Sequence, residues 1–81
     1  MHNTDIAGVV MGTIQLILPH VPESEILGSV HLSDLGADSV DRVEIMSTIL
    51  QQLGADIPLF EFSKFKNINQ MVGFLEKEMK G

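Results

Sequence analysis

The sequence predicts a small all-α fold, a bundle of three main helices and one short helix with a long loop between the first two. Apolar residues recur at helical spacing in three separate segments, and proline or glycine marks the segment ends. No segment shows the alternation of a half-buried strand or a hairpin signal. With 81 residues, of which 44% are hydrophobic, the chain is expected to form one domain over residues 1–81.

The first helix is predicted over residues 3–18. Asn3 or Thr4 is expected to cap it, with Asp5 in the first turn, where a carboxylate favours the helix dipole. Pro19 is a natural stop.

Residues 19–38 form a long connection with few regular signals, which is acceptable in a small domain only if the loop is functional or holds a short helical turn. Four apolar side chains are expected to pin it to the core: Ile26, Leu27, Leu32 and Leu35.

The second helix is predicted over Ser39–Leu53, with Gly54 at the favoured position just after its end. Its apolar arc is wider than one buried stripe. Part of that arc can therefore face the core while Val40, Val43 and Ser47 face something else, although core packing of the two valines stays open at this point.

The end of the chain predicts a short helix over Leu59–Phe65 and a final helix that Asn67 caps and that runs to about Met79.

The charge balance is acidic, with a formal net charge of −6 and no cysteine. This balance argues against nucleic acid and anionic membranes as partners and suits partners with basic patches. The longest nearly apolar run, residues 6–18, is too short to span a bilayer, and no secretory signal is visible. We therefore expect a cytoplasmic protein.

The stretch Leu35-Gly36-Ala37-Asp38-Ser39-Val40 holds the most informative chemistry. Its simplest interpretation is a helix start, with Asp38 or Ser39 as the cap. A serine at that position would also be exposed at the positive end of the helix dipole, where backbone N–H groups can meet an anion. No residue nearby in sequence can activate it, and the G-x-S-x-G pattern of serine hydrolases is absent. Ser39 is thus expected to be modified by another enzyme, and the chain is not expected to be an enzyme itself.

The run LGADSVDRVEI resembles the phosphopantetheine attachment motif of acyl carrier proteins, and the resemblance extends to Gly54 and to the Ile57-Pro58 pair. It implies that a phosphopantetheinyl transferase, using Mg²⁺, transfers 4′-phosphopantetheine from coenzyme A to Ser39. It further implies that Asp38 helps to present the serine to the transferase, and that an acyltransferase or ketosynthase-like enzyme loads the arm of a monomeric carrier. The side chains that would contact the arm or basic partners are Val40, Asp41, Val43 and Glu44.

Several charges depart from the usual acidic pattern of fatty-acid carriers. Gln51 and Gln52 stand where acids are common, and Arg42 lies close to the serine. Lys64 lies in the predicted short helix Leu59–Phe65, and Lys66 lies just after it. Neutral surface variation is one explanation, and a dedicated partner is the other.

The segments DSVDR and IPLFEF resemble the discrete donor carrier proteins of polyketide β-branching cassettes. In that setting the carrier brings an acetyl-type group to an HMG-CoA-synthase-like enzyme. Arg42 and the segment Phe60–Lys66, with Phe60, Lys64 and Lys66, would then select the partner.

Two alternatives stay open. The chain is either another kind of carrier, for general fatty-acid, polyketide or aminoacyl groups, or an unmodified helical interaction module in which Ser39 is only part of a cap. No metal site is expected, because the acidic residues between Asp34 and Glu44 lack the spacing of a calcium loop.

Overall fold

The computed structural model describes residues 5–80, with the side chains of Ser63 and Lys80 left out. Within this range the chain forms helices and no strands, so the predicted all-α bundle is confirmed. The three main helices are α1 (Ile6–Ile17), α2 (Ser39–Leu53) and α3 (Ile68–Lys80), and three short 3-10 helices lie over Glu23–Glu25, Leu32–Leu35 and Leu59–Lys64.

Helix α1 begins later than the position of its predicted caps. Asp5 is the cap itself, since its carboxylate accepts the N–H of Gly8 at 3.0 Å, so its predicted place in the first turn was wrong. Asn3 and Thr4 lie outside the described residues. The helix ends just before Pro19, which has no N–H to continue it.

The core lies where the three helices meet. Val10 and Ile14 from α1, Ile45 and Ile49 from α2, and Leu75 from α3 are all almost completely buried. Burial of a side chain of this size stabilises the fold by roughly 1.5–3 kcal/mol. Helix α1 packs against both α2 and α3, so the apolar stripes predicted from helical spacing do face one another.

The short third helix forms over Leu59–Lys64 as a 3-10 helix and packs against α2. Phe62 is its buried anchor, with an edge-on ring contact to Phe65 at 5.7 Å and another to Phe74 at 6.1 Å. These aromatic contacts join the short helix to α3 and close that side of the bundle.

The long first loop is held to the core by three of the four predicted side chains. Ile26, Leu32 and Leu35 are buried, but Leu27 is 54% exposed, so its predicted anchoring role was wrong. Ile26 already occupies the inward side of the turn, and its neighbour in sequence therefore points outward. The loop contains two 3-10 helices, as the prediction of a short helical turn allows.

Backbone hydrogen bonds also tie this loop to the start of α3. The N–H of Ile68 donates to the carbonyl of Val30 at 3.0 Å, and the N–H of Asn69 donates to that of Gly28 at 2.8 Å. The side chain of Asn67 accepts the N–H of Gln70 at 2.9 Å, which confirms its predicted capping role. The first N–H groups of α3, which a helix cannot satisfy internally, are therefore paired with the loop and the cap.

A left-handed glycine connects the loop to α2. Gly36 ends the 3-10 helix Leu32–Leu35 with φ 90°, and the N–H of Ala37 then donates to the carbonyl of Leu32 at 3.3 Å. The turn buries Ala37 and brings the chain to Asp38 in an extended conformation. Residues with a Cβ disfavour this φ, so the position requires glycine.

We therefore expect Gly36→Ala to lower the free energy of unfolding by about 1–2 kcal/mol, the usual cost of the left-handed conformation for alanine. Gly73→Ala is the matched control, because Gly73 lies within α3 and an added Cβ there meets nothing within 4 Å. This control should raise the free energy of unfolding by roughly 0.5–1 kcal/mol. Urea unfolding measures both, and an equal change in the two variants would contradict the role given to Gly36.

Candidate functional site

Two carboxylates fix the residue at which α2 begins. Asp38 accepts the N–H of Asp41 at 2.8 Å, and Asp41 in return accepts the N–H of Asp38 at 3.4 Å. This reciprocal capping box makes Asp38 the N-cap, which decides between the two predicted caps. Ser39 is consequently the first helical residue.

Ser39 is exposed at the N-terminus of α2. The first backbone N–H groups of a helix have no partner within it, and the dipole is positive at this end. An anion bonded to the serine oxygen would therefore be electrostatically favoured there.

The ring of His31 is hydrogen-bonded within the first loop. Its Nδ1 lies 3.0 Å from the backbone nitrogen of Ser33 and accepts the N–H of that residue.

An open groove starts at the serine and runs along α2. Ser39, Val40, Val43 and Glu44 line it. Val40 is 73% exposed and Val43 52% exposed, so both valines lie outside the core, as the wide apolar arc allowed. Apolar side chains this exposed, beside an exposed serine, form a surface on which a flexible chain or a partner protein can pack.

The other two predicted residues of α2 are less exposed. Asp41 is half-buried, and its carboxylate belongs to the capping box. Arg42 is also half-buried, and its Nη1 donates to the carbonyl of Ala37 at 3.1 Å. The structure therefore turns the guanidinium back toward the loop, away from the groove of the valines.

The remaining predicted residues lie on or next to the third 3-10 helix. Phe60 is 66% exposed, and Lys66 is exposed in the segment that leads to α3. Lys64 is exposed and forms a 3.2 Å ion pair with Glu61. An exposed pair of this kind contributes little stability, so the ammonium group stays accessible to a partner.

Sequence reasoning missed a cavity that Arg42 and Met46 of α2 help to line. It has a volume of about 200 Å³ and lies between the first loop, α2, the third 3-10 helix and the start of α3. Its lining includes His31, Arg42 and Asn67. These residues are far apart in sequence, so no local pattern could have indicated that they share a cavity.

Two further classes of site were tested on the described part of the chain. Over residues 5–80, no three histidine or acidic side chains come close enough together to hold a metal ion. Among the helices of the same range, none has the length and apolarity needed to cross a membrane.

Comparison with known proteins places this architecture in context. The family described as "Phosphopantetheine attachment site" matches residues 9–75. The polyketide biosynthesis acyl carrier protein AcpK of Bacillus subtilis is 36% identical over 75 residues, which cover 93% of this chain and 92% of that protein. An acyl carrier protein of Rhodopseudomonas palustris is 30% identical over 69 residues, covering 82% of this chain and 87% of that protein. No solved structure matches the chain.

The capping box predicts a stability difference between two substitutions of one residue. Asp38→Ala should lower the free energy of unfolding by about 1 kcal/mol, because the N–H of Asp41 loses its acceptor. Asp38→Asn should cost much less, since asparagine caps a helix about as well as aspartate. Thermal unfolding compares them, and equal losses in both variants would show that the charge of Asp38, not its capping bond, stabilises the helix.

Proposed function

The chain belongs to the acyl carrier proteins, the family that bears phosphopantetheine, and from this premise we propose that Ser39 is its attachment residue. The observation that carries the proposal is the exposed position of Ser39 as the first residue of α2, directly after the Asp38 cap. The sequence LGADSV around it resembles the family's attachment motif.

The residues around Ser39 fit the phosphopantetheine group. The helix N-terminus favours the negative phosphodiester, and the groove of Val40 and Val43 offers an apolar surface for the arm. When bound, the group supplies a terminal thiol that holds an acyl chain as a thioester. Asp38 would keep the serine in place at the helix start while a transferase acts on it.

The attachment step requires a separate enzyme. The serine oxygen forms a bond to the phosphate of the pantetheine half of coenzyme A, the pyrophosphate bond breaks, and adenosine bisphosphate leaves. The hydroxyl proton must go to a base of the phosphopantetheinyl transferase, since His31 is bonded to Ser33. The chain would thus be a substrate of this chemistry and not its catalyst.

We further propose that the carrier delivers an acetyl-type group to an HMG-CoA-synthase-like enzyme in polyketide β-branching. The likeness of the DSVDR and IPLFEF segments to donor carriers supports this role. The similarity to the polyketide carrier of Bacillus subtilis, which is 36% identical over 93% of the chain, supports it as well. An acyltransferase or ketosynthase-like enzyme would load it. Such a carrier would act as a monomer in the cytoplasm, as a single carrier domain.

The proposed partner surface combines the open face of α2 with the neighbouring 3-10 helix. Val40, Val43 and Glu44 supply an exposed apolar and acidic strip. The second part adds an aromatic ring and two cations. Phe60 and Lys64 lie in the 3-10 helix that packs against α2, and Lys66 follows that helix. Asp41 and Arg42 lie at the edge of this surface with less exposure. Mixed charges of this kind would favour a partner with complementary patches over general fatty-acid enzymes.

Incubation with coenzyme A, Mg²⁺ and a broad-specificity phosphopantetheinyl transferase should add one phosphopantetheine group, detected by intact mass. Ser39→Ala should abolish the adduct. Ser47→Ala is the matched control, because Ser47 is an exposed serine on the same helix, and it should still be modified.

An unmodified wild-type chain, or an adduct on Ser39→Ala, would contradict the carrier function and favour the unmodified interaction module. Loading with acetyl, malonyl and aminoacyl donors separates the acetyl donor role from the role of a general fatty-acid, polyketide or aminoacyl carrier.

The proposed partner surface predicts an effect on the kinetics of acetyl transfer. Val43→Asp should lower kcat/KM for acetyl transfer to the HMG-CoA-synthase-like enzyme by roughly 5- to 30-fold, the effect of losing 1–2 kcal/mol at an interface. Leu16→Asp is the control, because Leu16 is 67% exposed on α1. Steady-state kinetics with the acetyl-loaded carrier measures both, and equal effects of the two substitutions would reject this surface.

A further inference from the structure

A hydrogen bond that spans Ser39 joins α2 to the first loop. The carbonyl of Ala37, which lies before the serine and its cap, accepts Nη1 of Arg42, which lies after the serine, at 3.1 Å. Ala37 is buried and Arg42 is half-buried, whereas Ser39 is exposed. The exposed serine therefore belongs to a segment whose two ends are tied to each other.

The capping box alone does not hold this segment to the loop. Asp38 and Asp41 both lie on the helix side of the junction, and the bond from the N–H of Asp38 is 3.4 Å long. The N–H of Ala37 does reach the loop, but its bond to the carbonyl of Leu32 is 3.3 Å long. Strong N–H···O bonds measure about 2.7–3.2 Å, so both of these bonds are weak. The bond of Arg42 is shorter than either, and its donor is charged.

The residue before Ala37 makes such a tie important. Gly36 has φ 90° and no side chain, so its backbone is more permissive than that of other residues. A donor from α2 to the carbonyl of the next residue limits this freedom. A guanidinium suits the task, since it stays charged at any physiological pH and forms a charge-assisted bond, which is stronger than a neutral one.

We propose that Arg42 is a positioning residue for the modification of Ser39 and that it acts through its bond to Ala37. This inference rests on the proposed attachment at Ser39. The bond holds the start of α2 against the loop, so the free carrier already presents the hydroxyl where a transferase requires it. Arg42 acts on the free carrier in this role and takes no part in the transfer reaction.

The first test measures the free carrier, with no enzyme present. Arg42→Gln removes the charged donor and should loosen the junction. Amide hydrogen exchange at Ala37 and Asp41 should then accelerate by roughly 10-fold, as expected from the loss of one hydrogen bond to a charged group. Exchange measured in ¹H–¹⁵N spectra of the unmodified chain gives this factor residue by residue.

The second test measures the attachment step. Arg42→Gln should raise the KM of a phosphopantetheinyl transferase for the carrier by roughly 3- to 10-fold and leave kcat unchanged, because a looser helix end lowers the fraction of carrier that is ready to bind. Once bound, the variant presents the same serine to the same enzyme. Steady-state kinetics with coenzyme A and Mg²⁺, followed by intact mass, gives both constants.

Two control variants separate positioning from charge and from stability. Lys77→Gln makes the same change of charge at an exposed site on α3. Gly54→Ala strains the other end of α2, where the glycine has φ 65°. Neither control should change KM or the amide exchange at Ala37 and Asp41.

Unchanged amide exchange in Arg42→Gln would overturn the proposal, since any rise in KM would then come from a direct contact with the transferase. A lower kcat at unchanged KM would overturn it too, and so would equal effects of either control. All of these results leave attachment at Ser39 intact. A wild-type chain that takes no phosphopantetheine would instead overturn the proposed function, and this inference with it.

Discussion

The capping box between Asp38 and Asp41 is the interaction on which the rest of the site depends. It sets the residue at which α2 begins, so Ser39 is the first helical residue and lies beside N–H groups that have no partner within the helix. Without the cap this end of the helix would be less stable, and the hydroxyl would no longer be held at the first helical position. The pairing of an acidic cap with a following serine thus determines where the hydroxyl is presented.

A small bundle buries few side chains, and the long loop of this chain is held in place partly by hydrogen bonds. The loop contributes a few buried side chains, but its carbonyls also satisfy the first N–H groups of α3. This arrangement removes unpaired donors at a helix start while it orders residues 28–30. The same junction forms one wall of the cavity, because His31, Asn67 and Ile68 adjoin these hydrogen bonds. Stability of the loop and shape of the cavity are therefore linked.

The helices and the candidate attachment serine could be predicted from the sequence because their signals are local. Helical spacing predicted α2, Gly54 predicted its end, and the width of the apolar arc left room for Val43 to lie outside the core, where the structure has it. Leu27 could not be placed correctly, since its hydropathy is the same whichever side of the turn it occupies.

The inward direction of Arg42 and the cavity it lines depend on contacts among segments distant in sequence. Charge alone suggested a residue for binding partners, whereas its bond to the carbonyl of Ala37 turns it toward the loop. The most direct test of the central claim is tandem mass spectrometry of the wild-type chain after modification, with each serine-containing peptide mapped. The account predicts phosphopantetheine on Ser39 and on no other residue, and an adduct on a different serine would contradict it.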